Sequence, residues 1–139
     1  MARLIGGIVA GILAAFAAVW IIDLVGHMIY PLPSDIAMRS FEEVGAYIQS
    51  MPPGALAFVL AAWFAGALVG GLVAALISER HWTVWLIAGL VAVAGLVNIL
   101  MIPHPVLLQI GAIAAPLLGG LVASQITRNR LAGRGGPTA

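Results

Sequence analysis

The sequence contains no cysteine and no lysine, and only 8% of its 139 residues are charged. Without cysteine, the chain can form neither a disulfide framework nor a thiolate metal site. Its six basic residues are all arginines, and the net charge is only +1. The chain therefore has no broad basic face, which argues against nucleic acid as a partner.

Hydrophobic residues make up 63% of the chain and the mean hydropathy is +1.13, a composition typical of integral membrane proteins. We predict an all-α fold, a four-transmembrane-helix bundle, because four apolar runs each supply about the 20 helical residues needed to cross hydrocarbon. The first run is too long for the core of a signal peptide, so we expect it to be retained. The four predicted spans are at about residues 4–30, 54–77, 82–102 and 106–126. They form a single domain, residues 1–129, followed by a disordered cytoplasmic tail, residues 130–139.

The arginines predict the orientation of the chain. Only Arg39 falls on one side of the four-span arrangement, and the others fall on the opposite side: Arg3, Arg80, Arg128, Arg130 and Arg134. Because basic residues are enriched on the cytoplasmic side, we expect both termini to face the cytoplasm. A multi-pass protein of a bacterial inner membrane fits this pattern.

The long connection between the first two spans, residues 31–53, carries a helix signal. Ser40 and Glu43 have the spacing of a capping box. Apolar residues then recur at steps of three and four, at Phe41, Val44, Ile48 and Met51. We predict a short amphipathic helix in this first outer loop, which either closes the loop or acts as a lid over a site.

An internal repeat relates the second and fourth spans at an offset of 49 residues. GGLVAALISER, residues 70–80, and GGLVASQITRN, residues 119–129, are identical at six of eleven positions. Small residues at every fourth position allow close helix approach in lipid. Matched small-residue stripes occur at Ala62, Gly66, Gly70 and Ala74, and at Gly111, Ala115, Gly119 and Ala123, and the first span adds Gly7 and Gly11. We predict two parallel-repeat helical hairpins related by an axis along the membrane normal.

Three polar residues near the outer ends of the spans form the candidate site. Asp23 is the one charged residue within the four runs, and His27 follows it by one helical turn. Asn98 in the third span lies at a depth similar to that of His27. A cluster of this kind suits proton relay or permeation; the alternatives are that it locks the helices together or that it binds a ligand.

Other site chemistries have weaker support in the sequence. His27, Met28, Met101 and His104 all lie toward the outer face and offer nitrogen and thioether ligands that suit Cu(I), although methionine is commonly a gap-filler in apolar helices. The chain has no nucleophile elbow, phosphate-binding loop, dinucleotide fingerprint or HExxH motif. We therefore expect no enzyme activity, no metal and no cofactor.

Three segments resemble a group of small bacterial four-span membrane proteins usually described as hypothetical. They are GHMIYPLP at residues 26–33, AWFAGALVGGLVAA at residues 62–75 and NILMIPHP at residues 98–105. The resemblance covers the chain from the end of the first span onward. It implies four spans but no activity, so no functional residue is carried over from it.

Two functions remain in view. The first is a permeation or proton-coupled transport protein in which Asp23 and His27 titrate and Asn98 lines the path. The second is a non-catalytic membrane scaffold or accessory subunit that associates through its small-residue helix faces. Expected partners are the lipid bilayer and a second copy or another membrane protein.

Overall fold

The computed structural model describes residues 1–36 and 39–134, with side chains up to Leu131. Four of its helices are long and apolar enough to cross a membrane, which confirms the predicted all-α membrane class. The described residues include no strand. The helices are, in chain order, α1 Ala2–Ile29, α2 Phe41–Ser50, α3 Pro53–Ser78, α4 Thr83–Met101 and α5 Val106–Arg134. All but α2 are candidate spans.

The predicted spans agree with the helices to within a few residues, except at the C-terminal end. There α5 continues to Arg134, which corrects the predicted start of the tail at residue 130. Arginine and leucine favour helix, and the first Gly-Gly-Pro run comes only at residues 135–137. Residues 135–139 of the predicted tail lie outside the described residues.

The bundle is organised around α3, which packs against α1, α4 and α5. By contrast, α1 and α4 meet each other over only a short stretch. We call the end of the bundle that carries α2 and the α4–α5 connection the α2 end, and the opposite end the terminal end. Since α1 is held mainly by α3, the α1–α3 contact fixes where the side chains of α1 lie.

Small residues bring α1 and α3 into close contact. A Cβ atom added at Gly11 would lie 2.8 Å from the Gly70 carbonyl oxygen, and one added at Gly70 would lie 2.6 Å from the Gly11 carbonyl oxygen. At the terminal end, a Cβ atom at Gly7 would lie 2.7 Å from the Ser78 backbone nitrogen. The backbones therefore touch directly, and larger side chains cannot be inserted between them.

The small-residue stripe of α5 packs against a different face of α3. A Cβ atom at Gly119 would collide with the Phe64 carbonyl oxygen, and one at Gly111 would collide with the Leu60 side chain. Ala123 is fully buried, and Ala115 is buried as well. The α3 stripe, in contrast, faces α1, where a Cβ at Gly66 would meet Val19. The two matched stripes thus make unlike contacts.

At the α2 end, α2 covers the helix ends of the bundle. Ser40 caps α2 through a capping box with Glu43. Gly45 packs on the α4–α5 connection, since a Cβ there would lie 2.7 Å from Pro103 Cδ. Ile48 and Met51 pack against the core cluster that contains Leu56, Trp63 and Leu108. This helix is therefore tied by apolar contact to the core cluster of α3 and α5 and to the α4–α5 connection.

We expect Gly70→Leu to destabilise the bundle, because the new side chain would have to separate α1 from α3. Overpacking of this kind costs about 1–3 kcal/mol, and more where backbone must move. Gly89→Leu is the matched control, since a Cβ at Gly89 meets nothing within 4 Å. Thermal unfolding in detergent micelles measures both variants. Equal unfolding temperatures for the two would contradict the close α1–α3 contact.

We also expect α2 to loosen in acid. The Ser40 backbone amide and hydroxyl both donate to the Glu43 carboxylate, at 2.8 and 2.9 Å, and these bonds hold the pKa of Glu43 below its ordinary value of 4.5. A carboxyl group with a lowered folded-state pKa stabilises above its ordinary pKa, and that contribution is lost as the pH falls through the lowered value. Amide hydrogen exchange in α2, corrected for intrinsic rates, should therefore speed up on acidification. Glu43→Gln should remove most of this pH dependence, because the amide does not titrate, while Glu42→Gln should keep it.

Candidate functional site

A groove separates α1 from α4. Both helices pack on α3, but they diverge from each other and leave a space of about 540 Å³ between them. Trp63 is the one residue that α3 contributes to its lining. The lining residues are Ile12, Ala15, Phe16, Val19, Trp20 and Asp23 on α1, Trp63 on α3, and Ile87, Leu90, Val91, Ala94, Gly95 and Asn98 on α4.

Asp23 and Asn98 bring a carboxylate and an amide to this otherwise apolar groove, from opposite walls. Asp23 lies six residues before the end of α1, about 9 Å along the helix axis. Asn98 lies three residues before the end of α4, about 5 Å along its axis. Both polar groups therefore sit toward the α2 end, and the rest of the groove is apolar.

A second, smaller cavity lies on the other side of Asp23, between α1 and α3. Its volume is about 30 Å³, and a water molecule needs roughly 10–15 Å³ of such space. Its lining residues are Asp23, Gly26, His27, Tyr30, Met51, Ala55, Phe58 and Val59. Met51 is the C-cap residue of α2, so the end of the α2 segment borders this cavity.

The three predicted site residues are therefore divided between two cavities. Asp23 and Asn98 line the groove, whereas Asp23 and His27 line the small cavity. Asp23 is half-buried, while His27 and Asn98 are exposed. The shared residue is Asp23, and the structure does not gather all three around one space.

Close packing between α1 and α3 sets the walls of the small cavity. At Gly26, a Cβ atom would lie 3.0 Å from Phe58 Cβ, and the Tyr30 hydroxyl lies where a Cβ of Gly54 would be. The Tyr30 and Phe58 rings meet edge to face, with centroids 6.2 Å apart. This contact anchors the end of α1, and the helix itself places His27 one turn after Asp23 beside the cavity.

The sequence interpretation missed the aromatic residues of the groove. Phe16 and Trp20 precede Asp23 by seven and three residues, a spacing that places all three on one face of a helix. That spacing was available in the sequence. Trp63 lies on another helix, and no sequence pattern connects it with Asp23.

Four other polar side chains, those of His104, Gln109, His81 and Ser124, make local contacts. His104 is buried, with Nδ1 2.6 Å from the Ile102 carbonyl oxygen, and the Gln109 amide donates to the His104 carbonyl oxygen at 2.8 Å. Near the terminal end, His81 Nε2 lies 3.0 Å from Ser124 Oγ. These bonds fix the connections of α4 to its neighbours, and none of these residues lines the groove or the small cavity.

Metal-binding chemistry has little support in the geometry. Among residues 1–36 and 39–131, no group of three or more histidine or acidic side chains could hold an ion. In the copper hypothesis His104 is one ligand, but its side chain is buried. Met28 and Met101 are exposed on the apolar surface of the bundle, at 75% and 53%.

No family model, curated protein or solved structure matches the chain. Its function is therefore inferred from the groove, the small cavity and the carboxylate between them.

We expect the Asn98 end of the groove to be reachable from water. Because the chain has no cysteine, single cysteines can be introduced without background. Asn98→Cys should react with a membrane-impermeant maleimide in proteoliposomes. Val97→Cys, which is equally deep but does not line the groove, should react far more slowly. Equal labelling of both positions would contradict a distinct polar opening at Asn98.

Proposed function

We propose that the chain is a small proton-coupled transport protein of a bacterial inner membrane, with both termini in the cytoplasm and Asp23 as the proton-binding group. One observation supports this function best: Asp23 lines the apolar groove and the water-sized cavity at the same time. A single carboxylate that borders both spaces can respond to a ligand on one side and to a proton on the other.

The cost of a charge in hydrocarbon gives this position its significance. An acidic residue within a membrane span is expensive and usually marks an ion, proton or substrate path. Protonation or a bound cation removes the charge, so the carboxylate alternates between two partners that exclude each other. Because the proton and the cation cannot occupy the carboxylate together, the release of one is coupled to the binding of the other.

In this proposal protons reach Asp23 through the small cavity. His27 and Tyr30 line it together with Asp23, and His27 is exposed toward the α2 end. A water molecule held there would connect the imidazole with the carboxyl group. An imidazole can both accept and donate a proton, so in this proposal His27 relays protons between Asp23 and the periplasm, which the α2 end faces in this orientation.

A scaffold or accessory subunit is the second candidate. In that hypothesis a partner binds the small-residue helix faces. Within one chain, however, Gly7, Gly11 and Gly70 are already buried at the α1–α3 contact. Gly119 is likewise buried against α3. A partner helix or a second copy would therefore use the groove, where α1 and α4 leave an open face.

A duplicated hairpin accounts for the repeat. In this proposal one hairpin was duplicated. The first copy is α1 with α3, the second is α4 with α5, and an axis along the membrane normal relates the two copies. The shared GGLVA segments support it, and both stripes serve close helix contact. The unlike partners of the two stripes indicate that the second copy has diverged, so the acid occurs only in the first.

We expect Asp23→Asn to abolish proton movement in proteoliposomes. Protein is reconstituted with an internal pH indicator, a membrane potential is imposed, and small cations, anions and neutral solutes are added in turn. The wild-type protein should move protons in the presence of its substrate, and Asp23→Asn should fall to the protein-free background because the amide cannot accept the proton.

Glu42→Gln is the matched control, because it removes a carboxylate from the exposed face of α2. It should behave as wild type, and circular dichroism should show equal helix content in all three proteins. If Asp23→Asn and wild type move protons equally with every solute, Asp23 is not the coupling group.

A further inference from the structure

We propose that the groove binds a lipophilic monovalent cation, with its apolar body between α1 and α4 and its positive charge beside Asp23 and Asn98. The binding of such a cation does not depend on transport. Its role as the transported substrate rests on the proposed function.

The groove has the size and composition of a site for a small apolar ligand. Its volume of about 540 Å³ falls within the roughly 300–1,000 Å³ of small-molecule sites. Phe16 and Trp20 are 76% and 63% exposed on the outer surface of α1, so the groove opens sideways toward the hydrocarbon. A ligand that enters by this route must first dissolve in lipid.

The charge of the groove selects a cation. Among the residues that the structure describes, Asp23 is the one ionisable residue that lines the groove, and no arginine lines either cavity. An anion would be repelled by the carboxylate. A neutral acyl chain would fill the apolar part but leave the charge unpartnered, which is costly in hydrocarbon.

The aromatic side chains strengthen this selection. Phe16 and Trp20 lie on the same face of α1 as Asp23, and Trp63 lines the groove from α3. Indole and phenyl rings attract cations through their faces, and flat apolar rings suit a bulky organic body. A hydrated inorganic ion gains neither contact, because it would have to lose its water in an apolar space with one carboxylate and one amide.

The bound cation and a proton should compete for Asp23. The other titratable groups facing it are His27 and Tyr30, both on α1 beside the small cavity. The lining residues from α3 and α4 carry no ionisable side chain. Acidification should therefore weaken cation binding through protonation of Asp23, and protonation of His27 would act in the same direction.

Tetraphenylphosphonium and tetraphenylborate test the charge requirement, because both carry four phenyl rings and differ in charge. Binding to the full chain in detergent is followed by the fluorescence of Trp20 and Trp63, after Trp82→Phe and Trp85→Phe remove the signal from the other two tryptophans. The phosphonium should bind saturably, and acidification should weaken its binding.

Three variants, each made in the protein that carries Trp82→Phe and Trp85→Phe, test whether the phosphonium binds in the groove. Asp23→Asn should weaken phosphonium binding at least tenfold, whereas Glu42→Gln should leave it unchanged. Ala94→Phe, which fills the groove but keeps the acid, should also weaken it at least tenfold. Circular dichroism confirms that each variant is folded, and Ala94→Phe still tests the site if Asp23→Asn does not fold.

Saturable borate binding as tight as that of the phosphonium would overturn the proposal, as would unchanged phosphonium binding in folded Asp23→Asn or Ala94→Phe. The outcome for transport is separate. Phosphonium binding without proton movement would refute the proposed function and support the site. Asp23-dependent proton movement with another solute, and no phosphonium binding, would support the function and refute the substrate class.

Discussion

The direct backbone contact between α1 and α3 is the constraint on which the rest of the structure depends. Gly11 and Gly70 approach so closely that neither tolerates a Cβ atom. Since α1 has little contact with α4, its position is set almost entirely by this one interface. The groove exists because α1 lies close to α3 and away from α4, and Asp23 reaches both cavities for the same reason.

Lipid explains why small side chains carry this role. In water, the hydrophobic effect buries apolar side chains and leaves polar ones outside. Hydrocarbon is as apolar as the helices themselves, so it gives no such direction. Helices then associate where their surfaces fit most closely. In α3 the fully buried residues are mainly alanine and glycine, while large apolar side chains of α1, such as Leu13 and Phe16, face outward. Side-chain size, rather than polarity, therefore decides which residues are buried between the helices.

This rule also limits what sequence alone can predict. Hydropathy predicted the four spans, because their length and composition are set by bilayer thickness, and the capping spacing of Ser40 and Glu43 predicted a local contact. The stripes predicted close helix contacts, but not which helix each stripe would meet, since every face of an apolar helix is an acceptable surface in lipid. For the same reason the sequence could not assign Asn98 to the groove or His27 to the small cavity.

The unequal lengths of the helices bordering the groove link the site to the membrane around it. The 19 residues of α4 span about 28 Å, whereas the 28 residues of α1 span about 42 Å. Hydrocarbon about 30 Å thick matches α4 and forces α1 to tilt or to extend past the interface. Because α1 has little contact with α4, a change in its tilt would change the distance between the walls of the groove. Lipid chain length would then act on this site through the inclination of α1.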